Sequence, residues 1–215
     1  DGVDAANRSG LVNDASNAWA TIEYGARRVL NEIDFNDFDA TLQVQDGTWT
    51  ESFTLDVTKV GGGDFFITGN TGTPSNAIWD AGSGQHCIFC NRTGSVTNVQ
   101  GFRWQNSVGI SCLRVAKGAQ LSFQAAVEFG DCPNGIHVYA QQGGHFQTNA
   151  NWTISGDAID HWLVENGATL TSQGKTVTLT GTPAFADAFV NARDGGHVIC
   201  SGNTFTGAAT GVRYR

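Results

Sequence analysis

Apolar residues in this chain follow a repeat that becomes clear after residue 80. Each copy contains short runs of alternating apolar and polar residues, which are typical of strands, and glycine turns separate the runs. Four of these turn glycines are 25, 24 and 28 residues apart, and they are Gly118, Gly143, Gly167 and Gly195. A regular spacing of this size indicates a solenoid, in which each repeat forms one turn of the molecule.

The repeat also places apolar residues at matching positions. Three residues after the turn glycines stand Leu121, Phe146, Leu170 and Val198. A later apolar group consists of Val127 with Phe129, Trp152 with Ile154, Val177 with Leu179, and Phe205. A weaker upstream copy matches Ile88, Cys90, Phe102 and Trp104 to Leu113, Val115, Val127 and Phe129.

These matches predict stacked rungs about 4.8 Å apart, in which like residues lie above like residues and form a continuous core. The expected fold is therefore all-β, a right-handed parallel β-helix of roughly 6–8 rungs. The alternative is an irregular β-sandwich, which would show alternation without a column register.

A helical pattern precedes the strands. Over Trp19–Ile33 the apolar residues recur at three- and four-residue spacing, which predicts an amphipathic helix with Ser16 or Asn17 as its N-cap. We therefore expect an N-terminal loop and capping helix over residues 1–40. The parallel β-helix is expected over residues 41–215, and the two parts form one domain.

Composition and charge narrow the range of partners. The chain has 215 residues, a net charge of −8 and only 12 basic residues, which are scattered along the sequence. Nucleic acid binding needs clustered Lys and Arg, so nucleic acid is not an expected partner. No apolar run approaches the roughly 18–20 residues of a membrane span, so membrane insertion is not expected either.

The sequence also predicts a column of cysteines and histidines. If Leu113, Val138, Trp162 and Val190 point inward, strict alternation turns their predecessors outward. Those predecessors, with one from the preceding rung, are Cys87, Cys112, His137, His161 and Phe189. Such a ladder has ligands that suit zinc, and Cys87 with Cys112 suits a disulfide. Stacking produces ladders in any solenoid, however, so we expect buried thiols, no metal and no other cofactor.

The same outward face carries groups that suit sugars. The residues predicted to bind carbohydrate are Arg114, His137, Tyr139, His161, Asn191, Gln141 and Glu165. Planar amide, carboxylate and guanidinium groups hydrogen-bond to sugar hydroxyls, and aromatic rings offer an apolar platform. The alternative is an ordinary solvated wall that binds no ligand.

Three motifs in the N-terminal third carry a resemblance to a known family. They are Asp1-Gly2-Val3-Asp4 with Trp19-Ala20-Thr21-Ile22, then Asp46-Gly47-Thr48-Trp49-Thr50-Glu51, then Phe66-Ile67-Thr68-Gly69-Asn70. Through them the chain resembles the pectate-lyase-like right-handed parallel β-helix proteins, in particular phage tailspikes and the spikes of phage-like particles. The resemblance implies a capping helix before the first rung and a stiff, often trimeric rod. It implies no single activity, because this fold hosts lyases, hydrolases, esterases and inert spikes.

The elements that mark the enzymes of this superfamily are mostly missing. No two aspartates are adjacent in the sequence, and glycoside hydrolysis needs two close carboxylates. If the chain is an enzyme, a polysaccharide lyase or a glycoside hydrolase, its acids on adjacent rungs are Asp157, Asp160 and Asp187. We expect these aspartates to be turn residues or caps instead.

These features predict a non-catalytic spike or fibre protein of a virion or phage-like particle that binds a bacterial surface polysaccharide. We expect a homotrimer that contacts other virion structural proteins and is located on the virion surface or outside the cell. A tailspike depolymerase remains an alternative, and it requires two carboxylates about 5–10 Å apart on one wall. A purely structural spacer is the third hypothesis, and it requires a wall without clustered aromatic and amide groups.

Overall fold

Twenty-one short strands form seven rungs of three strands each. The computed structural model describes residues 18–82 and 84–215. Rung 1 contains β1 (Ala40–Gln43), β2 (Gly47–Thr50) and β3 (Phe53–Leu55). Rung 2 contains β4 (Phe65–Thr68), β5 (Ala77–Asp80) and β6 (His86–Cys90). Rung 3 contains β7 (Val96–Gln100), β8 (Arg103–Gln105) and β9 (Ser111–Val115). Rung 4 contains β10 (Gln120–Phe123), β11 (Val127–Phe129) and β12 (Cys132–Ala140). Rung 5 contains β13 (His145–Thr148), β14 (Trp152–Ile154) and β15 (Ala158–Val164). Rung 6 contains β16 (Thr169–Gln173), β17 (Thr176–Leu179) and β18 (Ala184–Ala192). Rung 7 contains β19 (His197–Ser201), β20 (Thr204–Thr206) and β21 (Thr210–Tyr214).

Three parallel sheets run along the rod, one for each strand position in the rung. Sheet A contains the first strands (β1 to β19), sheet B the second (β2 to β20) and sheet C the third (β3 to β21). The predicted apolar columns are in register, since Leu121 pairs with Phe146, Phe146 with Leu170, and Leu170 with Val198. The core lies between the three sheets. The prediction of an all-β, right-handed parallel β-helix is confirmed, with seven rungs.

The repeated glycine occupies the corner where the chain passes from sheet C of one rung to sheet A of the next. Two successive residues there have left-handed backbones, and the pairs are Lys117–Gly118, Gln142–Gly143, Asn166–Gly167 and Asp194–Gly195. The glycine φ values are 70°, 72°, 72° and 76°. Because glycine has no Cβ, it adopts this backbone without steric cost, which explains why the repeat was visible in the sequence.

The one α-helix in the described residues, α1 (Ile22–Glu32), packs against β1 and β3 at the N-terminal end of the rod. Its buried residues are Ile22, Gly25, Ala26, Val29 and Leu30. No helix in residues 18–82 or 84–215 is long and apolar enough to cross a membrane.

The N-cap of α1 is Thr21, whose Oγ1 accepts a hydrogen bond from the backbone N–H of Tyr24 at 3.2 Å. The predicted caps, Ser16 and Asn17, are therefore wrong, because the helix begins only at Ile22. Residues 1–17, which include the predicted loop and the first motif Asp1-Gly2-Val3-Asp4, lie outside the described residues.

Glu51, the last residue of the second motif, fastens α1 to the first rung. Its carboxylate accepts hydrogen bonds from the backbone N–H of Ile22, at 2.8 and 2.9 Å, and from that of Glu23, at 3.1 Å. The first N–H groups of a helix have no partner inside the helix, and the helix dipole favours a negative charge beside them. Glu51 therefore satisfies these donors and sets the position of the capping helix.

Sheet C departs from strict alternation, since two adjacent residues face the core on each of rungs 2 to 6. On β9 and β12, Ser111 pairs with Ile136 and Leu113 with Val138, whereas Cys112 and His137 are skipped in the ladder. The predicted outward orientation is therefore wrong for the whole column of cysteines and histidines. The exposed fraction is 0% for Cys87, Cys112, His137 and His161, and 7% for Phe189. The physical reason is a local bend of the strand, which turns two successive side chains inward.

The cysteines are free thiols, and four of them are buried: Cys87, Cys90, Cys112 and Cys132. Cys112 lies beside Cys87 and Cys132, and burial raises the pKa of its thiol well above the ordinary value. In the described part of the chain, no group of three or more His, Cys, Asp or Glu residues is placed to hold a metal ion. The expectation of buried thiols is confirmed for these four residues.

His137 and His161 form a hydrogen-bonded pair inside the core, with their Nδ1 atoms 3.0 Å apart. His137 Nε2 lies 2.9 Å from the carbonyl oxygen of Gly130, so it must carry a proton and donate. Trp152 Nε1 donates to His161 Nε2 at 3.2 Å, so that nitrogen must accept. Two neutral rings satisfy every contact only if His161 Nδ1 donates to His137 Nδ1. Burial accordingly lowers the pKa of His137 to about 4 and that of His161 well below its ordinary value.

The Glu51 contact yields a first prediction. Replacing Glu51→Ala should lower the free energy of unfolding by about 1–2 kcal/mol, because the helix loses a capping group and a favourable charge. Urea denaturation measures this change. Glu32→Ala is the matched control, since it removes the same side chain at the other end of α1. Equal losses for the two variants would contradict the capping role.

The histidine pair yields a second prediction, that the protein loses stability in acid. Since burial depresses the folded pKa of His137 from 6.5 to about 4, the unfolded chain takes up a proton that the folded chain does not. The stability is complete above pH 6.5 and falls as the pH drops towards 4. His137 alone should cost about 2 kcal/mol between pH 8 and pH 5.

Denaturation at the two pH values tests whether the histidine pair causes this loss of stability. The double variant His137→Phe with His161→Phe removes both imidazoles, and Phe is chosen because Phe189 already occupies this column. The double variant should lose less stability between pH 8 and pH 5 than the original chain. Other titrating groups are common to both proteins and cancel in the comparison. The exposed His197→Asn serves as the control and should retain the full pH dependence. An unchanged pH dependence in the double variant would overturn the assignment.

Candidate functional site

The outer surface of sheet C carries a connected set of polar and aromatic side chains, which we call the sheet C face. Its middle column, in register across rungs 2 to 6, is Phe89, Arg114, Tyr139, Leu163 and Asn191. A second column on the same strands is buried, and its residues are His86, Ser111, Ile136, Asp160 and Ala188. A third, just after the strands, is Ala116, Gln141, Glu165 and Arg193.

Arg114 lies at the centre of this face, between two aromatic rings. Its guanidinium carbon is 4.5 Å from the ring centre of Phe89 and 5.0 Å from that of Tyr139. Nη1 donates to His86 Nε2 at 3.0 Å. The carbonyl oxygen of Gln141, in the orientation that satisfies its neighbours, accepts from Arg114 Nε at 3.2 Å and from Nη2 at 2.5 Å. Four neighbours therefore hold the guanidinium in one orientation.

A chain of hydrogen bonds continues from Gln141 across the next two rungs. The amide nitrogen of Gln141 donates to Tyr139 Oη at 2.8 Å, and Tyr139 Oη donates to Glu165 Oε1. Glu165 Oε2 accepts from Arg193 Nε at 2.8 Å. Burial and the bond to Glu165 raise the pKa of Tyr139 to about 12. Burial opposes ionisation of Glu165, but the bonds from Tyr139 and Arg193 outweigh it and lower the pKa of that carboxyl. Glu165 is therefore charged and Tyr139 protonated at neutral pH.

Carboxylates gather at the other end of the face. Asn191 Nδ2 donates to Asp187 Oδ2 at 3.0 Å, and Arg215 forms an ion pair with Asp187 Oδ1. Asp160 Oδ1 accepts from the backbone N–H of Ala188 at 3.1 Å. Burial, together with the charge of Asp187, raises the pKa of Asp160 to about 6. Asp160 and Asp187 thus form an electrostatically coupled pair on adjacent rungs.

The structure separates the predicted carbohydrate-binding residues into two groups. Five lie on the sheet C face: Arg114 and Tyr139 are half-buried, and Gln141, Glu165 and Asn191 are only 5–7% exposed. The other two, His137 and His161, lie in the core with an exposed fraction of 0%, so they cannot contact a ligand on this face.

Asp157 lies apart from the other two predicted acids, at the rung ends. Its backbone N–H donates to Asp131 Oδ1 at 3.1 Å, and its own Oδ1 accepts from the backbone N–H of Ala184 at 2.7 Å. Each aspartate therefore binds a backbone N–H of the next rung. This is the geometry of a cap between rungs, and it leaves Asp157 without a carboxylate partner on the sheet C face.

Sequence reasoning missed four residues of the face: His86, Phe89, Ser111 and Arg193. The repeat carried their signal, because Phe89 precedes Arg114 and His86 precedes Ser111 by 25 residues, which is one rung. The predicted outward column begins at Arg114 and therefore omits the rung before it.

His86 and Ser111 resemble a base and a nucleophile, with His86 Nδ1 2.9 Å from Ser111 Oγ. The direction of the hydrogen bonds excludes that role. Since Arg114 donates to His86 Nε2, the imidazole proton lies on Nδ1 and is donated to the serine. Burial and the charge of Arg114 lower the pKa of His86 to about 4, so the ring stays neutral. The imidazole therefore cannot accept the proton of Ser111, and the pair positions Arg114.

The described residues form a three-sheet parallel β-solenoid of seven rungs. No family model matches the chain, and no curated protein or solved structure matches it either.

Proposed function

We propose that this chain is a spike or fibre protein of a virion or phage-like particle, and that it binds a bacterial surface polysaccharide through the sheet C face without cleaving it. The observation that carries the proposal is the connected array of Arg114, Tyr139, Gln141 and Glu165. These groups combine directed donors and acceptors with an aromatic surface, which is the combination that sugar rings and their hydroxyls require.

The dimensions of the face favour a polymer as the ligand. The middle column extends from Phe89 on rung 2 to Asn191 on rung 6. Four rung spacings of about 4.8 Å give a length of about 19 Å, enough for several sugar units of one chain. The side chains are held by hydrogen bonds before a ligand arrives, so binding costs little side-chain entropy. An ordinary solvated wall would lack this order.

The placement on a virion rests on the resemblance of the N-terminal motifs to phage tailspikes and phage-like particle spikes. In this proposal three copies form the spike, contact other virion structural proteins and act on the virion surface or outside the cell. The net charge of −8 keeps nucleic acid out of the expected partners. A β-helix suits a spike because each rung is hydrogen-bonded to its neighbours along the rod.

A second candidate function is cleavage of the same polysaccharide, and the pair of Asp160 and Asp187 favours it. A carboxyl with a pKa of about 6 beside an ionised carboxylate is the electrostatic arrangement of an acid and base pair. Three contacts nevertheless favour the non-catalytic proposal over cleavage. Asp160 is only 3% exposed and binds a backbone N–H, while Arg215 and Asn191 occupy both oxygens of Asp187.

Binding is the third prediction. Immobilised capsule and lipopolysaccharide from candidate hosts should retain the protein, and Tyr139→Ala should weaken retention about 5–30-fold, because the aromatic contact and the bond to Glu165 are both lost. Thr178→Ala is the matched control, since Thr178 lies on sheet B and its loss should leave binding unchanged. Equal retention of both variants would exclude the sheet C face as the binding site. If the original chain is not retained at all, the result favours a structural spacer.

The fourth prediction concerns cleavage. The protein should release no reducing ends from the polysaccharides that it binds, between about pH 5 and pH 7 where Asp160 changes its protonation. The appearance of reducing ends would contradict the non-catalytic proposal. If Asp160→Asn then abolishes their release and Asp157→Asn does not, the protein is a depolymerase that uses Asp160. Asp157 is the matched control because it caps a rung away from the face.

A further inference from the structure

Arg114 carries a positive charge that no described acidic side chain neutralises by direct contact. Six ion pairs lie within 4.0 Å in residues 18–82 and 84–215, and Arg114 belongs to none of them. Its direct partners are a neutral imidazole, an amide oxygen and two aromatic rings. Glu165 contributes only at longer range, and Tyr139 and Arg193 already occupy its oxygens.

The guanidinium also retains unused hydrogen-bond donors. An arginine has five N–H groups, and three of these are used, by Gln141 at Nε and Nη2 and by His86 at Nη1. One N–H therefore remains on each terminal nitrogen. Since Arg114 is half-buried between Phe89 and Tyr139, these donors are held in position.

The charge and the two remaining donors define the group that would complete this site. A partly buried cation without a counter-charge is unfavourable, and a planar carboxylate supplies one negative charge with two acceptors. A phosphate monoester carries up to two charges, and the negative charge of Glu165, which acts on Arg114 at longer range, would repel it more strongly.

We propose that Arg114 binds the carboxylate of an acidic sugar and so selects a uronic-acid-type polysaccharide. This inference rests on the proposed function, because the polymer context comes from it. Arg114 is the specificity-determining residue of the face. The half-buried Tyr139 then contacts an adjoining sugar unit, while Gln141 and Glu165 hold Arg114 and Tyr139 in position.

A double-mutant cycle tests the contact with capsular polysaccharides that contain uronic acid. Each polymer is used in its native form and after chemical reduction of its carboxyl groups to neutral sugars. Against the native polymer, Arg114→Gln should weaken binding about tenfold or more, and Arg114→Lys should restore part of the loss because it keeps the charge without the planar donors. Against the reduced polymer, Arg114→Gln should change binding little, because the interacting group is absent from both partners.

A second measurement is independent of the polymer. The ¹⁵N-labelled protein is titrated with sodium glucuronate, with glucose and with inorganic phosphate, and Arg114→Lys identifies the Arg114 side-chain N–H signals. Glucuronate, but not glucose, should shift those signals. Arg213→Gln is the matched control in both experiments. Arg213 is exposed on the last strand, so its loss changes the net charge equally without altering the centre of the face.

The outcomes separate this inference from the proposed function. Coupling between Arg114 and the polymer carboxylates, or a shift with glucuronate alone, supports the carboxylate site. Equal binding of native and reduced polymers, without a glucuronate shift, overturns the site and leaves polysaccharide binding intact. A response to phosphate but not to glucuronate overturns it as well. A glucuronate shift without any polymer binding supports the site and rejects the polysaccharide spike, and no response to any probe overturns both.

Discussion

The fold depends on the parallel hydrogen bonding of each rung to the next. Because each strand pairs with the strand one repeat later, each residue of the paired ladder has a fixed vertical neighbour, as Leu121 has Phe146 and Phe146 has Leu170. The neighbour must then be compatible in size and polarity. In the core this produces apolar columns, and it also explains the buried histidines, since His137 and His161 satisfy each other. On the outer surface the same register aligns Phe89, Arg114 and Tyr139, so one constraint builds both the core and the face.

The columns could be predicted from the sequence because turn glycines and apolar residues recur together. The orientation of the cysteines and histidines could not, because it depends on a local bend. The rule of alternation assumes an even pleat, whereas Cys112 and Leu113 enter the core together, and so do His137 and Val138. The N-cap was misplaced for a similar reason. Glu51, which is distant in sequence, decides where α1 begins, and no pattern within the helix reveals that contact.

The candidate site was predictable as a set of positions but not as a set of roles. Arg114, Tyr139, Gln141 and Glu165 were recognised because they follow the register of the apolar columns. The direction of each hydrogen bond depends on side-chain orientation, which the sequence does not encode locally. This direction has chemical consequences, since it makes His86 an acceptor from Arg114 and removes it as a base. The coupling of Asp160 to Asp187 likewise appears only when the burial of Asp160 is known.

The way in which the face is held supports the proposed binding role over the alternative of catalysis. A general acid or base must exchange a proton with the substrate, so its oxygen has to be accessible during the reaction. On this face Tyr139 and Arg193 occupy Glu165, and Asn191 and Arg215 occupy Asp187. Breaking these bonds would oppose proton transfer, whereas a ligand that accepts from the remaining donors of Arg114 adds contacts without breaking any. Rigid hydrogen bonding therefore favours recognition, because the entropy of ordering these side chains was lost when the chain folded.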